Sequence, residues 1–162
     1  MAEQKIPMTP RGAQKLKEEL KRRKEVERFK IVKAIEEARG HGDLSENADY
    51  SAAKEAQSLN EGRIKDLEAM LALSNVIDPL TLSGAKVTFG ATVKLTDTDS
   101  GEEVVYAIVG EQEADIKKGL IAITAPLARA MIGREPGDTV QVRAPKGQRE
   151  YEILEVSFRE IA

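Results

Sequence analysis

Apolar residues recur at intervals of three and four through the first part of the chain. Ala13, Leu16 and Leu20, then Ile31, Ile35 and Ala38, trace one narrow stripe, the spacing of a coiled-coil seam. Sixteen of the 25 residues from Lys15 to Arg39 are charged, so little besides that stripe is available for burial. Between Leu20 and Ile31 the seam holds only Lys, Arg and Glu stems, with Val26 and Phe29 off to the side; this predicts local looseness or a stutter there. Thr9-Pro10 opens the helix with a hydroxyl cap and a proline whose missing N–H does no harm. A second helix is expected from about Ser45 to Ser74. It starts with the small residues Ala48, Ala52, Ala53 and Ala56, which permit close approach, before Leu59, Ile64, Leu67 and Leu71. A first helix of about 27 residues reaches roughly 40 Å.

Gly40 and Gly42 interrupt the pattern and predict a turn, with the positive φ of a helix end available there. The next helix can start from Asp43 or Ser45, and a start at Asp43 puts Glu46 at its third position. Asp43 and Glu46 then face one side of one turn, where they serve as caps or grip one cation between them. Asp78-Pro79-Leu80-Thr81-Leu82-Ser83-Gly84 ends the helical pattern and reads as a linker. Beyond it the period changes to two, in Val87 and Phe89, Val93 and Leu95, then Val104, Tyr106 and Ile108 around the turn Thr98-Asp99-Ser100-Gly101. Residues 125–132 form a short amphipathic helix ended by Gly133, and strands Thr139–Arg143 and Arg149–Phe158 flank the turn Pro145-Lys146-Gly147. The expectation is two domains. Residues 1–78 form an all-α antiparallel coiled-coil hairpin with its acidic tip at 41–49, residues 79–84 a linker, and residues 85–162 an α+β domain, an antiparallel sheet on one short helix.

Charge sharpens the hairpin. Residues 15–39 carry ten Lys or Arg against six Glu, whereas residues 43–78 carry three against eight acids. Laid side by side the segments attract, though exposed pairs contribute only about 0–1 kcal/mol each. The Gly-interrupted turn between complementary halves favours an intramolecular hairpin over a dimerising coiled coil, hence a monomer. The net charge of −3 argues against autonomous binding to duplex DNA. With 4% aromatic residues and no Trp, two modest cores fit the 162 residues better than one large one. The absence of Cys excludes disulfides and thiol catalysis, and one His makes a structural zinc site untenable. No apolar run approaches a membrane span and no signal pattern opens the chain, so a cytoplasmic protein without membrane partners is expected. His41, Asp43 and Ser45 are the residue types of a hydrolytic triad, but a thin hairpin tip offers neither nucleophile elbow nor oxyanion hole.

The run Gly42-Asp43-Leu44-Ser45-Glu46-Asn47-Ala48-Asp49-Tyr50, followed by Ala52-Ala53-Lys54-Glu55, closely resembles the tip of the bacterial transcript cleavage factors of the Gre family. Ile6-Pro7-Met8-Thr9, Arg11-Gly12, Glu61-Gly62-Arg63-Ile64-Lys65-Asp66, Phe89-Gly90-Ala91-Thr92-Val93, Ile108-Val109-Gly110 and Glu113-Ala114-Asp115 extend the resemblance over nearly the whole chain. It implies a coiled coil entering the secondary channel of RNA polymerase, and tip acids that help the polymerase's active site cut backtracked nascent RNA at its 3′ end. Asp43 and Glu46 would act there, sharing Mg²⁺ with the polymerase, while the free chain is neither an enzyme nor a metal protein. Arg39 and Lys54 match the family's basic patch and would meet RNA phosphates, although Lys54 lacks the bidentate geometry of the Arg common there. The apolar helix start at Ala125, Pro126 and Leu127 would dock on the channel rim. The C-terminal domain resembles FK506-binding prolyl isomerases, but only Phe89, Tyr106, Tyr151 and Phe158 are there to line an aromatic pocket. Two rival readings remain, a channel-binding inhibitor without cleavage activity and a prolyl isomerase.

Overall fold

The computed structural model describes residues 4–43, 46–145 and 147–161 and divides into two compact units. Leu44, Ser45 and Lys146, invoked above, lie outside the described residues. Gln14–Leu73 make up a helical unit; Gln4–Ala13 join the chain from Ser74 onward in a sheet-rich one. The N-terminal segment and the expected linker therefore both belong to the C-terminal unit, and the unit boundary falls at Leu73 rather than near Leu80.

Three short elements explain that assignment. Strand β1 (Ile6–Met8) pairs in parallel with β2 (Ser74–Val76), and Ile77 N–H donates to Met8 O at 2.9 Å. The Glu113 carboxylate then holds the start of α1 (Pro10–Arg22): Oε2 accepts from the N–H of Thr9 and of Gly110 at 3.0 Å each, and Oε1 from the Thr9 hydroxyl. Thr9 Oγ1 in turn caps the helix by accepting from Gly12 N–H at 3.1 Å. A Cβ at Gly12 would collide with the Glu113 side chain and push its carboxylate off these bonds. Pro79, in the expected linker, is fully buried, and Asp78 Oδ1 caps the 3₁₀ turn Pro79–Thr81 through Leu80 N–H.

In the helical unit α1 continues through a π-helical turn, Arg23–Glu27, into α2 (Arg28–Arg39), and α3 spans Ala48–Ala72. The π turn lies in the stretch between Leu20 and Ile31 where local looseness or a stutter is expected. From Leu16 on, one stripe of less exposed residues runs through Leu16, Leu20, Arg23, Glu27, Ile31, Ile35 and Ala38, with steps of 4, 3, 4, 4, 4 and 3, and Glu19 lies beside it. A heptad alternates three and four, so the segment carries one extra residue. The bond from Arg28 N–H to Arg23 O, five residues apart, absorbs it. The α3 stripe keeps the alternation: Ala53, Gln57, Asn60, Ile64 and Leu67. Here the expectation fails in detail. Leu59 is 68% exposed and buried Asn60 takes the inward place, while Ala52 and Ala56 face outward. Asn60 is inward because Arg23 occupies both ends of its amide: Nδ2 donates to Arg23 O at 3.2 Å and Oδ1 accepts from Arg23 Nη1 at 3.1 Å. Beside it Glu19 receives Arg63 through two bonds of 3.0 Å and Arg23 Nε at 2.7 Å, and these guanidinium bonds hold its carboxyl down at about 2.

The C-terminal sheet has the order β5-β4-β3-β7-β6. Strands β3 (Thr92–Asp97), β4 (Glu103–Val109), β6 (Thr139–Ala144) and β7 (Gly147–Ser157) are antiparallel neighbours, as the alternation predicts. The sheet is not wholly antiparallel, because β5 (Leu120–Ala122) pairs in parallel with β4. Nor is Val87–Phe89 a strand. Val87 exchanges backbone bonds of 2.8 Å with Gly133 and Arg134, just past α4 (Pro126–Met131), so its alternation reflects burial without sheet pairing. Val93, Leu95, Ile108, Ile121, Val140 and Ile153 pack with Ala128 and Met131 of α4 in one core. Each large side chain fully buried there contributes about 1.5–3 kcal/mol. No helix among the described residues is long and apolar enough to cross a membrane.

Candidate functional site: the turn between the second and third helices

Arg39 ends α2, and the chain leaves it through Gly40 N–H to Glu37 O and His41 N–H to Ala38 O, both 3.1 Å. Gly40 stays right-handed at φ −71; Gly42 alone uses a positive value, +106, which glycine adopts without a Cβ clash. Asp43 and Glu46 follow on exposed, non-helical backbone.

The placement of the acids corrects the expectation of a shared helical turn. Helix α3 begins at Ala48 and its cap is Asn47, whose Oδ1 accepts from Tyr50 N–H at 3.1 Å. Neither Asp43 nor Glu46 lies in the first turn, so no three-residue helical spacing aligns them. Asn47 wins the cap because its side chain has two ends. Asn, Asp and Ser cap about equally well, but only the amide carries its donor and its acceptor on separate atoms, so Nδ2 reaches Ala38 O at 2.6 Å while Oδ1 serves the cap. The segment from Ala38 to Asn47 is thereby closed across its base. Just beyond the closure, His41 Nδ1 stands 3.5 Å from Asp49 Oδ2. Asp43 and Ser45 are the caps expected from the sequence, and Asn47 is missed there; its residue type is the signal that could have found it, while its bond to Ala38 has no signal along the chain.

The other candidates are placed as follows. Arg39 is exposed at the end of α2, and Lys54, exposed in the second turn of α3, donates to Gln57 Oε1 at 3.0 Å. A groove of about 470 Å³ is lined by Ala34, Glu37 and Ala38 of α2, by His41, and by Asp49, Ala52 and Ala53 of α3. In the triad combination His41 faces Asp49, and Ser45 is outside the described residues. At the start of α4 only Pro126 is exposed, while Ala125 and Leu127 are partly buried against the core. Tyr106, Tyr151 and Phe158 also pack on that core, and Phe89 is 9% exposed, so the aromatic residues are used in folding. Two carboxylates on an exposed turn are the oxygen donors that Mg²⁺ takes, but they supply two of about six positions.

Residues 6–76 match the family model described as transcription elongation factor, N-terminal, and residues 82–158 that of transcription elongation factor, GreA/GreB, C-term. The chain belongs to the GreA/GreB family of transcription elongation factors. It is 59% identical to the protein named transcription elongation factor GreA of Brucella canis, over 96% of this chain and 99% of that one. Among solved structures, that of the transcription factor Gfh1 is 27% identical, covers 96% of this chain and 99% of its own, and has a TM-score of 0.45. The GreA/GreB factor from Nitrosomonas europaea is 28% identical over 95% and 100%, with a TM-score of 0.42.

Proposed function

We propose that this elongation factor enters the secondary channel of RNA polymerase tip first and stimulates the polymerase's own endonucleolytic cleavage of backtracked nascent RNA. The observation that carries this reading is the exposed pair Asp43 and Glu46 on a turn closed at its base by Asn47 and Ala38. The helical unit is an antiparallel coiled-coil hairpin in this reading. The 3–4 spacing of α3 supports it, as do the pairs Glu19–Arg63, Arg28–Glu61 and Asn47–Ala38, which run in opposite order along the two segments. The C-terminal unit docks the factor at the channel rim through the start of α4, with Pro126 outermost and Ala125 and Leu127 beneath it. Its sheet and single helix are FKBP-like in arrangement, and the commitment of its aromatic residues to the core favours docking over isomerase chemistry.

Asp43 and Glu46 would hold Mg²⁺ jointly with the polymerase. Bound there, the ion supplies charge neutralisation at the phosphodiester and a hydroxide near neutral pH. This chain contributes the two carboxylates, their placement, and hydrogen-bond acceptors able to orient a water. Arg39 and Lys54 neutralise phosphates of the RNA 3′ segment on either side of the tip. The chain works as a monomer and has no nuclease activity by itself.

The test is addition of the protein to a backtracked elongation complex in Mg²⁺. Shortening of the RNA from its 3′ end is the expected result. Inhibition of synthesis with the RNA left intact would establish the inhibitor reading instead, and cutting by the protein without polymerase would overturn the shared site.

A further inference from the structure

We infer that Asn47 is a positioning residue for the cleavage reaction, acting through its bond to Ala38 and separably from its role as a helix cap. This rests on the reading above, in which Asp43 and Glu46 are the reacting carboxylates. Both lie between Ala38 and Asn47, and the Asn47 side chain joins the two ends of that segment. Ala38 O already accepts from His41 N–H at 3.1 Å, and Asn47 Nδ2 adds a second bond to the same oxygen at 2.6 Å. Ala38 is 2% exposed, so the anchor belongs to the packed end of α2. Glu46 immediately precedes Asn47, and Gly42, with φ +106, immediately precedes Asp43. Glycine adds conformational freedom there, and the clasp removes it by fixing the separation of the segment's ends. A catalytic carboxylate must be held within a fraction of an ångström of its productive place, and a displacement of about 1 Å costs about 10²-fold in rate.

The two bonds of Asn47 can be separated chemically. Serine caps a helix about as well as asparagine, through its hydroxyl oxygen, but is too short to reach Ala38 O. Aspartate keeps the acceptor for Tyr50 N–H and sets a carboxylate oxygen where the donor was. Asn47→Ser and Asn47→Asp should therefore keep α3 and its far-UV circular dichroism, and keep slow hydrogen exchange at Tyr50 N–H in the free protein. Exchange at His41 N–H should accelerate in both. On a backtracked complex, the factor concentration giving half-maximal cleavage should stay at the wild-type value, while the maximal rate falls by roughly 10- to 100-fold.

Wild-type maximal cleavage in both variants, or unchanged exchange at His41, overturns the inference. A parallel loss of Tyr50 protection and of docking would assign Asn47 a capping role only, which also overturns it. Absence of cleavage with the unsubstituted protein would instead overturn the proposed function, so the two failures are distinct.

Discussion

Glu19→Gln tests how the middle of the helical unit is held. Glu19 accepts from Arg63 at both carboxylate oxygens and from Arg23 at one, and its side chain is 25% exposed. Its carboxyl is lowered from 4.5 to about 2, first by the Arg63 bonds, against burial that raises it, and then by Arg23. At about 1.4 kcal/mol per pH unit the ceiling is roughly 3 kcal/mol, and screening of a partly exposed group reduces this to about 1–2 kcal/mol. A folded value below the unfolded one contributes stability that is complete above 4.5 and is lost as the pH falls towards 2.

The variant removes that contribution at neutral pH and leaves two guanidinium groups facing a neutral amide. Urea unfolding followed by circular dichroism at the helix band should show a midpoint lower by about 0.5–1 M at pH 7, for a slope of about 2 kcal/mol/M. The difference between wild type and variant should shrink steadily from pH 5 to pH 3. A difference that stays constant over that interval would refute the electrostatic argument, and one near zero at pH 7 would show the pair to be worth no more than a surface contact.

Three further outcomes follow from the geometry. Asp43→Asn or Glu46→Gln should lower stimulated cleavage by roughly 10²–10⁴-fold while competition for polymerase is unchanged; near-normal cleavage by the double variant refutes the assignment. Deleting Lys30, exposed and lying between the inward residues Glu27 and Ile31, restores the strict alternation of three and four, so the variant should fold with undiminished stability. A loss above about 2 kcal/mol, the scale of serious core damage, would show that the π turn is needed for its own sake. Trypsin should nick at exposed Lys86, yet the pieces should elute together in gel filtration, because residues 4–13 and 74–86 belong with the C-terminal unit; release of a free 87–162 fragment refutes that.

What was legible in the chain was what neighbours in sequence decide. Thr9-Pro10 opens a helix at that place, and the turn at 98–101 forms because Asp97 Oδ1 accepts from Asp99 N–H at 2.9 Å, with Gly101 at φ +74. The charged run between Leu20 and Ile31 marked the place where the helix departs from regular α geometry. What was not legible depended on partners far away in sequence. Asp43 and Ser45 were the expected caps, and Asn47 holds the place with a bond to Ala38 O that no neighbour in sequence announces. Leu59 outranks Asn60 in hydrophobicity, yet Arg23 draws Asn60 inward. Strands β1, β2 and β5 have three residues each, too few to display a period. The assignment of residues 4–13 to the C-terminal unit turns on Glu113, which lies 104 residues from Thr9.

Opposite net charges on the two helical segments account for only some of the ion pairs between them. The first segment is basic and the second acidic, and Arg28–Glu61 at 2.8 Å and Lys24–Glu68 at 3.0 Å do follow that sense. Both are exposed and contribute little. The less exposed pair, Glu19 with Arg63, has the opposite sense, an acid on the basic segment and a base on the acidic one. Apolar burial lies to either side of this region, in Ile35, Ala38 and Ala53 towards the tip and Leu16, Ile64 and Leu67 away from it. A polar middle between apolar ends adds little net stability but penalises every register other than the native one. Sliding one helix by a heptad would leave Arg63 without Glu19 and strand Asn60 away from Arg23. It would also move Asn47 about 10 Å along the axis from Ala38, opening the clasp beneath Asp43 and Glu46. The polar middle of the unit thus sets the position of the acids at its end.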